Sequence, residues 1–263
     1  MESKRIEFLT RFYGAFDEDG RLCNSAQGKL EYLVTMDYVH RYLFPGCKVI
    51  ELGAGTGKYS VALAKEGYDT TAVELVESNL EVLKQNGAGL EALTALQGDA
   101  TDLSRFADGT FDVTLVFGPM YHLYEKTDVQ KAIDEAIRIT KKGGVVLFAF
   151  LSIYAIMYSN YMTGGWSAGQ KLNFTDDFRI IHEENQLFTG YDVKEFEALF
   201  ADKPTAYITT AGTDFCLEAI ERRPDFSLSG TDFEDFLGWY KYFSETRELL
   251  GLTDHLLYIC KKK

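Results

Sequence analysis

The sequence reads KVIELGAGTGKYS over residues 48–60. Its first five residues are mostly β-branched or apolar and predict a strand, and a helix-forming stretch begins near Lys58. Between the two, Gly53, Gly55 and Gly57 alternate with other small residues. Glycines in such a loop let the backbone turn tightly and approach a ligand closely, and three of them cost conformational entropy that a bare turn does not require. The stretch therefore predicts a ligand-binding loop between a strand and a helix.

Two other nucleotide-binding loops fit this stretch less well. The phosphate-binding P-loop needs a glycine where Leu52 stands and Ser or Thr where Tyr59 stands, so that reading fails. The dinucleotide fingerprint G-x-G-x-x-G needs its third glycine at position 58, which is Lys58 here. A nicotinamide-dependent oxidoreductase stays open as an alternative. It is less favoured because no Tyr-x-x-x-Lys constellation for hydride transfer accompanies the loop.

Strand-like and helix-length amphipathic segments alternate from Lys48 onward, which predicts an α/β fold. The predicted strands cover residues 48–52, 69–75, 92–97, 111–117, 145–150, 205–210 and 255–260. The clearest predicted helices cover residues 58–65, about 78–87, 126–140 and 192–200. Gly67 is expected to stop the first of these, Ser78 to cap the second, and Lys141-Lys142-Gly143-Gly144 to form a turn before the fifth strand.

Three further blocks fit no strand of this sheet, and we expect them to be helical. They are residues 1–44, 151–190 and 211–250, and they would project near the carboxyl ends of the strands, where open α/β sheets bind ligands. No internal repeat or linker divides the chain. We therefore predict a single domain of residues 1–263, in which a core of residues 45–150 is covered by a helical lid.

Composition excludes several classes of protein. The 27 Lys and Arg against 40 Asp and Glu give a net charge of −13, which disfavours a nucleic-acid partner because such binding depends on clustered basic residues. The 4 cysteines form no Cys-x-x-Cys pair, so neither a disulfide framework nor a metal site is predicted. No apolar stretch has the ~20 residues that a spanning helix needs. We expect a cytoplasmic monomer or homodimer without a membrane partner.

The glycine loop and four later segments together resemble the class I S-adenosylmethionine-dependent methyltransferases. The family's first motif is an acidic residue, an apolar residue and G-x-G-x-G, which matches residues 51–57. Its second is an acidic residue closing the second strand, where it takes both ribose hydroxyls, and Glu74 stands there. Its third is an acidic residue after the third strand, Asp99 here, which meets the adenine amino group. The end of the fourth strand, residues 117–123, is where the reacting methyl lies, and a Lys-Gly-Gly turn leads into the fifth strand.

The resemblance covers residues 48–150 and implies a Rossmann-like fold. Its expected form is a seven-stranded, mostly parallel sheet with an antiparallel last strand and helices on both faces. S-adenosylmethionine would be the methyl donor and S-adenosylhomocysteine the product. The implied donor-binding residues are Tyr13, Glu51, Gly53, Ala54, Gly55, Gly57, Glu74, Leu75, Asp99, Ala100, Phe117 and Gly118.

The segment after the fourth strand favours a small-molecule acceptor. Nucleic-acid amino methyltransferases carry Asp or Asn, Pro, Pro and an aromatic residue at this place, whereas this chain has Gly118-Pro119-Met120-Tyr121. This form resembles a subgroup of mostly uncharacterised bacterial small-molecule methyltransferases. Methyl transfer from a sulfonium is an in-line displacement, and alignment of the donor with the acceptor supplies much of its catalysis. His122 is the candidate general base for a hydroxyl or amine acceptor. A structural or substrate-orienting role for His122 stays open, as does a non-catalytic S-adenosylmethionine-binding module.

The predicted lid is rich in aromatic side chains, which suit planar or cationic guests. Most of them are expected to pack the lid onto the sheet. The candidates for the acceptor pocket are Tyr121, Tyr124, Tyr158 and Trp166. Gln27 and Glu31, one helical turn apart, are either polar contacts for a substrate or part of a solvated helix face.

Overall fold

The computed structural model describes residues 4–14, 18–184, 186 and 188–263, and residues 1–3, 15–17, 185 and 187 of the predicted lid lie outside this range. The strands are β1 (Lys48–Leu52), β2 (Asp69–Glu74), β3 (Leu93–Gln97), β4 (Phe111–Val116), β5 (Thr140–Leu151), β6 (Thr205–Gly212) and β7 (His255–Lys262). The helices are α1 (Lys4–Tyr13), α2 (Ala26–His40), α3 (Lys58–Lys65), α4 (Glu77–Asn86), α5 (Lys126–Ile139), α6 (Ile153–Tyr161), α7 (Trp166–Asn173), α8 (Val193–Ala198), α9 (Leu217–Ile220), α10 (Thr231–Phe243) and α11 (Arg247–Leu250). A 3-10 turn covers Pro119–Tyr121.

The strands form a seven-stranded sheet in the order β3-β2-β1-β4-β5-β7-β6, which confirms the predicted fold. Five strands from β3 to β5 are mutually parallel, and β7 runs antiparallel to both β5 and β6. The chain moves outward from β1 to β3 and then returns to β4 on the other side of β1. Open sheets bind their ligands at such a switch point, so the cleft between the carboxyl ends of β1 and β4 is the expected site.

Two hydrophobic cores cover the two faces of the sheet. One lies under α5, α8 and α11 and includes Ile133, Phe196 and Leu250. The other lies under α2, α3 and α10 and includes Leu30 and Leu63. Successive residues of a strand point to opposite faces of the sheet, so a continuous run of apolar residues predicts that both faces are covered. The helices cover both faces as predicted.

Two local predictions are wrong. The helix predicted to be capped by Ser78 begins at Glu77 with Val76 in the cap position, and it has no side-chain cap. The Glu74 carboxylate instead accepts the backbone N–H of Val76 at 2.8 Å. The predicted turn at residues 141–144 is part of β5, which starts at Thr140. The pairing of β4 with β5 shifts register there, so a bulge absorbs the glycines without ending the strand.

Helices occupy the blocks that fit no strand. The first block holds α1 and α2, the second α6 and α7, and the third α9, α10 and α11. Helix α2 contacts both α9 and α10, and α6 contacts α9. Helices α2, α6, α9 and α10 therefore connect the three blocks, although the blocks are distant in sequence. In the described part of the chain, no helix is both long and apolar enough to cross a bilayer.

Candidate active site

The glycine loop follows β1 and adopts backbone conformations that favour glycine. Gly53, Gly55 and Gly57 have φ of +76°, +55° and +87°. A Cβ atom on Gly53 would lie 2.6 Å from Pro119 Cδ and 2.7 Å from the carbonyl oxygen of Phe117, so the loop can approach the end of β4 only with glycine there. A Cβ on Gly57 would lie 2.8 Å from Leu83 Cγ in α4. Gly57 thus serves the packing of two helices and does not line the cavity.

Glu74 ends β2 beside the loop, and two backbone groups fix its carboxylate. Oε2 accepts the N–H of Gly55 at 2.8 Å, and Oε1 accepts the N–H of Val76 at 2.8 Å. A carboxylate offers about four lone pairs, so about one on each oxygen is left for a ligand. Burial raises the pKa of Glu74, and the two N–H groups oppose that rise. The geometry suits a ligand that donates two adjacent hydroxyl hydrogens.

Glu51 lies in β1 below the loop and is buried. Its Oε2 accepts the backbone N–H of Ser60 at 3.0 Å and also the Ser60 hydroxyl, which ties the first turn of α3 to the strand. Its Oε1 accepts no hydrogen bond from a residue that the structure describes. Burial raises the pKa of Glu51 to about 8, so a large part of it is protonated at neutral pH. A cation brought next to Oε1 would favour the ionised form.

Asp99, in the turn after β3, is already engaged on both carboxylate oxygens. Oδ1 accepts the N–H and the hydroxyl of Thr101, each at 2.9 Å. Oδ2 pairs with the guanidinium of Arg5, on α1. The oxygen that the family resemblance assigns to adenine is therefore held by a side chain of the lid in this structure.

A single cavity at the switch point brings most of the predicted residues together. Those that line it are Tyr13, Glu51, Gly53, Ala54, Gly55, Glu74, Leu75, Asp99, Ala100, Phe117, Gly118, Tyr121 and His122. Three predicted acceptor residues lie elsewhere. Tyr124 donates its hydroxyl to the carbonyl of Gln186. Tyr158 and Trp166 line a separate groove between α6 and α7, and Tyr158 donates to the carbonyl of Leu252.

Aromatic rings surround His122 at the end of β4. Tyr13 Oη lies 2.8 Å from His122 Nε2, and the two rings meet edge to face with centroids 5.7 Å apart. Tyr121 and Phe188 rings each lie 5.1 Å from the imidazole. Burial raises the pKa of Tyr13 well above its usual range, so Tyr13 stays a neutral hydroxyl, which accepts from or donates to Nε2 according to the tautomer of His122. α1 therefore covers the end of β4, where the family resemblance implies that the reacting methyl lies.

A polar network in the same cavity wall was not predicted from sequence. Arg21 donates to both oxygens of Glu31, at 2.7 and 3.0 Å, and Gln27 donates to Glu31 and to Asp214. Asp214 in turn holds His255 at the start of β7, and Glu31 and His255 both line the cavity. Gln27 and Glu31 are buried, so they do not form a solvated helix face. Their helical spacing was the only sequence signal, because nothing in the sequence marked Asp214 or His255 as its partners.

Comparison with known proteins assigns the core of the chain to one domain type. Residues 50–148 match the family model described as a methyltransferase domain. The demethylmenaquinone methyltransferase of Clavibacter sepedonicus is 37% identical over 108 residues, which cover 41% of this chain and 42% of that protein. The enzyme of the same name from Paenarthrobacter aurescens is 34% identical over 123 residues, which cover 44% and 46%. The chain thus spans less than half the length of these curated relatives.

A structural match extends over nearly the whole chain. A Thermotoga maritima protein, described as an S-adenosylmethionine-dependent methyltransferase and possible histamine N-methyltransferase, superposes with a TM-score of 0.61. The match covers 98% of this chain and 100% of that one at 17% sequence identity. At that identity the likeness establishes the fold and says nothing about the acceptor.

Proposed function

We propose that the chain is a class I S-adenosylmethionine-dependent methyltransferase, and that it transfers a methyl group from S-adenosylmethionine to an oxygen or nitrogen atom of a small molecule. The observation that carries the proposal is one shared cavity. Glu74 and the glycine loop line one part of it, and Tyr121 and His122 line the part beside the end of β4. A donor held by the first set and an acceptor held by the second would meet within one enclosed space.

The residues of the cavity fit the donor chemically. The two remaining lone pairs of Glu74 match a ribose diol, and the backbone of the glycine loop can approach the ligand because no side chain intervenes. Oε1 of Glu51 is available to a cationic group. When bound, the sulfonium supplies an activated methyl group, so the protein has mainly to align the reactants and exclude water.

A small molecule is the acceptor that the chain's own features favour. The net charge of −13 disfavours binding to a nucleic-acid backbone, and the segment after β4 lacks the polar residue that holds a base amino group. α1 also covers this part of the cavity through Tyr13. A covered, aromatic pocket suits a compact guest.

Calorimetric titration tests the donor site first. S-adenosylhomocysteine, S-adenosylmethionine and NADH would be titrated into the wild type, the Glu74→Ala variant and a Glu77→Ala control, whose side chain is exposed on α4. We expect both sulfur nucleosides to bind, with a loss of about 100-fold or more in Glu74→Ala, because two hydrogen bonds to a charged group are lost and each contributes about 1.5–3 kcal/mol. Binding of NADH alone would contradict the proposal.

His122 is proposed as the general base, and Tyr13 as the residue that orients it. Turnover of small phenols, amines and carboxylic acids would be screened with the wild type and with His122→Ala and Tyr13→Phe. We expect a loss of about 10²–10⁴-fold in His122→Ala if proton removal is part of the reaction. Full turnover by His122→Ala across the pH range would leave alignment alone as the source of catalysis. No turnover with any acceptor, despite donor binding, would favour a non-catalytic binding module.

A further inference from the structure

Asp214 forms a buried anchor where the chain leaves β6. Its Oδ1 accepts the hydroxyl of Thr253 at 2.6 Å and the backbone N–H groups of Asp254 and His255 at 3.0 and 3.1 Å. Its Oδ2 accepts Gln27 Nε2 and His255 Nδ1, each at 2.7 Å. Burial opposes ionisation of Asp214, but the His255 charge and these hydrogen bonds lower its pKa below the usual range. Asp214 therefore fixes one nitrogen of the His255 ring.

The other ring nitrogen of His255 is left for the cavity. Since Nδ1 points to Asp214, Nε2 lies on the opposite side of the ring, and it bonds to no residue that the structure describes. The His255 side chain is 22% exposed and lines the cavity, with its ring centroid 6.5 Å from that of Tyr121. The ring therefore stands at the acceptor part of the cavity with one N–H donor unused.

The charges around His255 favour its protonated form. The ionisable groups that face it from neighbouring elements are Glu18, Arg21, Glu31, Asp214, Glu218 and Asp254. Burial and Arg21 act against the cation, but Glu31 and Asp214 outweigh them and raise the pKa of His255 to about 9. At neutral pH the ring is an imidazolium.

The other charged groups of the network are already paired. Both oxygens of Glu31 accept from Arg21, and one of them also accepts from Gln27. Glu31, Asp214 and His255 have ligand atoms close enough to surround a metal ion, but these hydrogen bonds use the same atoms. Both oxygens of Glu31 and both oxygens of Asp214 are engaged by donors, so neither of the two carboxylates beside the ring is free to offset the charge of an ammonium group that meets the imidazolium. An oxygen anion on a ligand would instead meet the unused, positively charged N–H donor at His255 Nε2.

We propose that the methyl acceptor carries an oxygen anion, as a carboxylate, phenolate or enolate, which accepts a hydrogen bond from His255 Nε2. This inference rests on the proposed function and specifies the acceptor class of the same site. His255 would then determine acceptor specificity, and Asp214 would act as the positioning residue that aims the imidazolium.

Two substitutions separate the cavity donor from the structural contact. In His255→Asn the amide nitrogen stands near the position of Nδ1, so the bond to Asp214 is kept and the cavity donor is lost. In His255→Gln the amide nitrogen stands near the position of Nε2, so the cavity donor is kept without its charge. His40→Asn, on the exposed end of α2, is the matched control.

The test is calorimetry on protein saturated with S-adenosylhomocysteine, with benzoate, 4-nitrophenolate and benzylamine as probes. We expect the two anions to bind the wild type and the control, about 10- to 100-fold more weakly to His255→Asn, and with a smaller loss to His255→Gln. Benzoate affinity should fall as the pH rises through about 9 in the wild type and stay flat in His255→Asn. Unchanged nucleoside affinity in both variants would show that they are folded.

The outcomes separate this inference from the function on which it rests. If S-adenosylhomocysteine fails to bind the wild type, the methyltransferase proposal itself fails. If the nucleoside binds but neither anion does, or benzoate binds His255→Asn as tightly as the wild type, or benzylamine is preferred to both anions, the acceptor inference is overturned and the donor site stands.

Discussion

Gly53 allows the glycine loop to contact the end of β4, because no side chain at this position separates them. We expect Gly53→Ala to destabilise the protein by more than about 2 kcal/mol, because a positive φ costs an L-residue roughly 1–2 kcal/mol and its Cβ would also clash with backbone. Gly55→Ala has the same φ cost, but its Cβ would meet only the side chain of Glu18, at 3.4 Å. Urea unfolding of the two variants measures the difference. Equal losses would mean that the contact with β4 is not tight.

The position of a single residue in the site could be predicted where one short segment of sequence contains all the evidence for it. Gly53 and Glu74 each sit next to a predicted strand end, so their place in the cavity followed from sequence. Asp214 and His255 are 41 residues apart and meet only because β7 pairs antiparallel with β6. The aromatic character of Trp166 indicated that it lines a pocket, but it did not indicate whether this is the cavity at the switch point or the groove between α6 and α7, where it lies.

At the scale of elements, α1 engages a carboxylate that the proposed donor site would use, because Arg5 pairs with Asp99. The Arg5 pair joins the lid to the turn after β3. We expect Arg5→Ala to speed association of S-adenosylhomocysteine about two- to fivefold, since a partly exposed ion pair contributes about 0.2–1 kcal/mol. Stopped-flow binding measures this effect, with Arg11→Ala on the exposed side of α1 as the control. Slower or weaker binding by Arg5→Ala would show instead that Arg5 contacts the bound nucleoside.

Element positions followed the hydrophobic pattern, and element ends did not. The strands and the helices α3, α5 and α8 lie where periodicity placed them. α4 starts before Ser78, with Val76 in the cap position, and the Glu74 carboxylate holds the N–H of that cap residue. The early start of β5 depends on the bulge against β4, which sequence spacing does not encode.

At the scale of the whole molecule, three titratable groups make stability depend on pH in the same direction. The folded-state pKa of Glu51 and that of Asp254 are each raised to about 8, and that of His255 to about 9. The folded protein therefore holds protons that the unfolded chain has released, so the free energy of unfolding falls as pH rises toward 9. Asp214 has a lowered pKa, so its contribution is lost only on the acid side, as pH falls through the folded-state value.

We accordingly expect maximum stability on the mildly acidic side of neutrality. Each retained proton contributes a slope of at most about 1.4 kcal/mol per pH unit. Urea unfolding from about pH 5 to pH 9 measures this slope. Glu51→Gln, which can still accept from Ser60, should flatten the part below about pH 8, and His255→Asn the part between about pH 6.5 and 9. Stability that rises with pH in the wild type would contradict the assignment.

The order of the strands also has a consequence for how the chain acquires this site during synthesis. β7 lies between β5 and β6, yet it leaves the ribosome after both of them. Until it emerges, β6 has no neighbour in the sheet, and Asp214 lacks all three of its partners from residues 253–255. A nascent chain that already carries the complete glycine loop and Glu74 therefore still lacks the side of the cavity that His255 lines. A ligand can be bound at that side only after β7 has been synthesised.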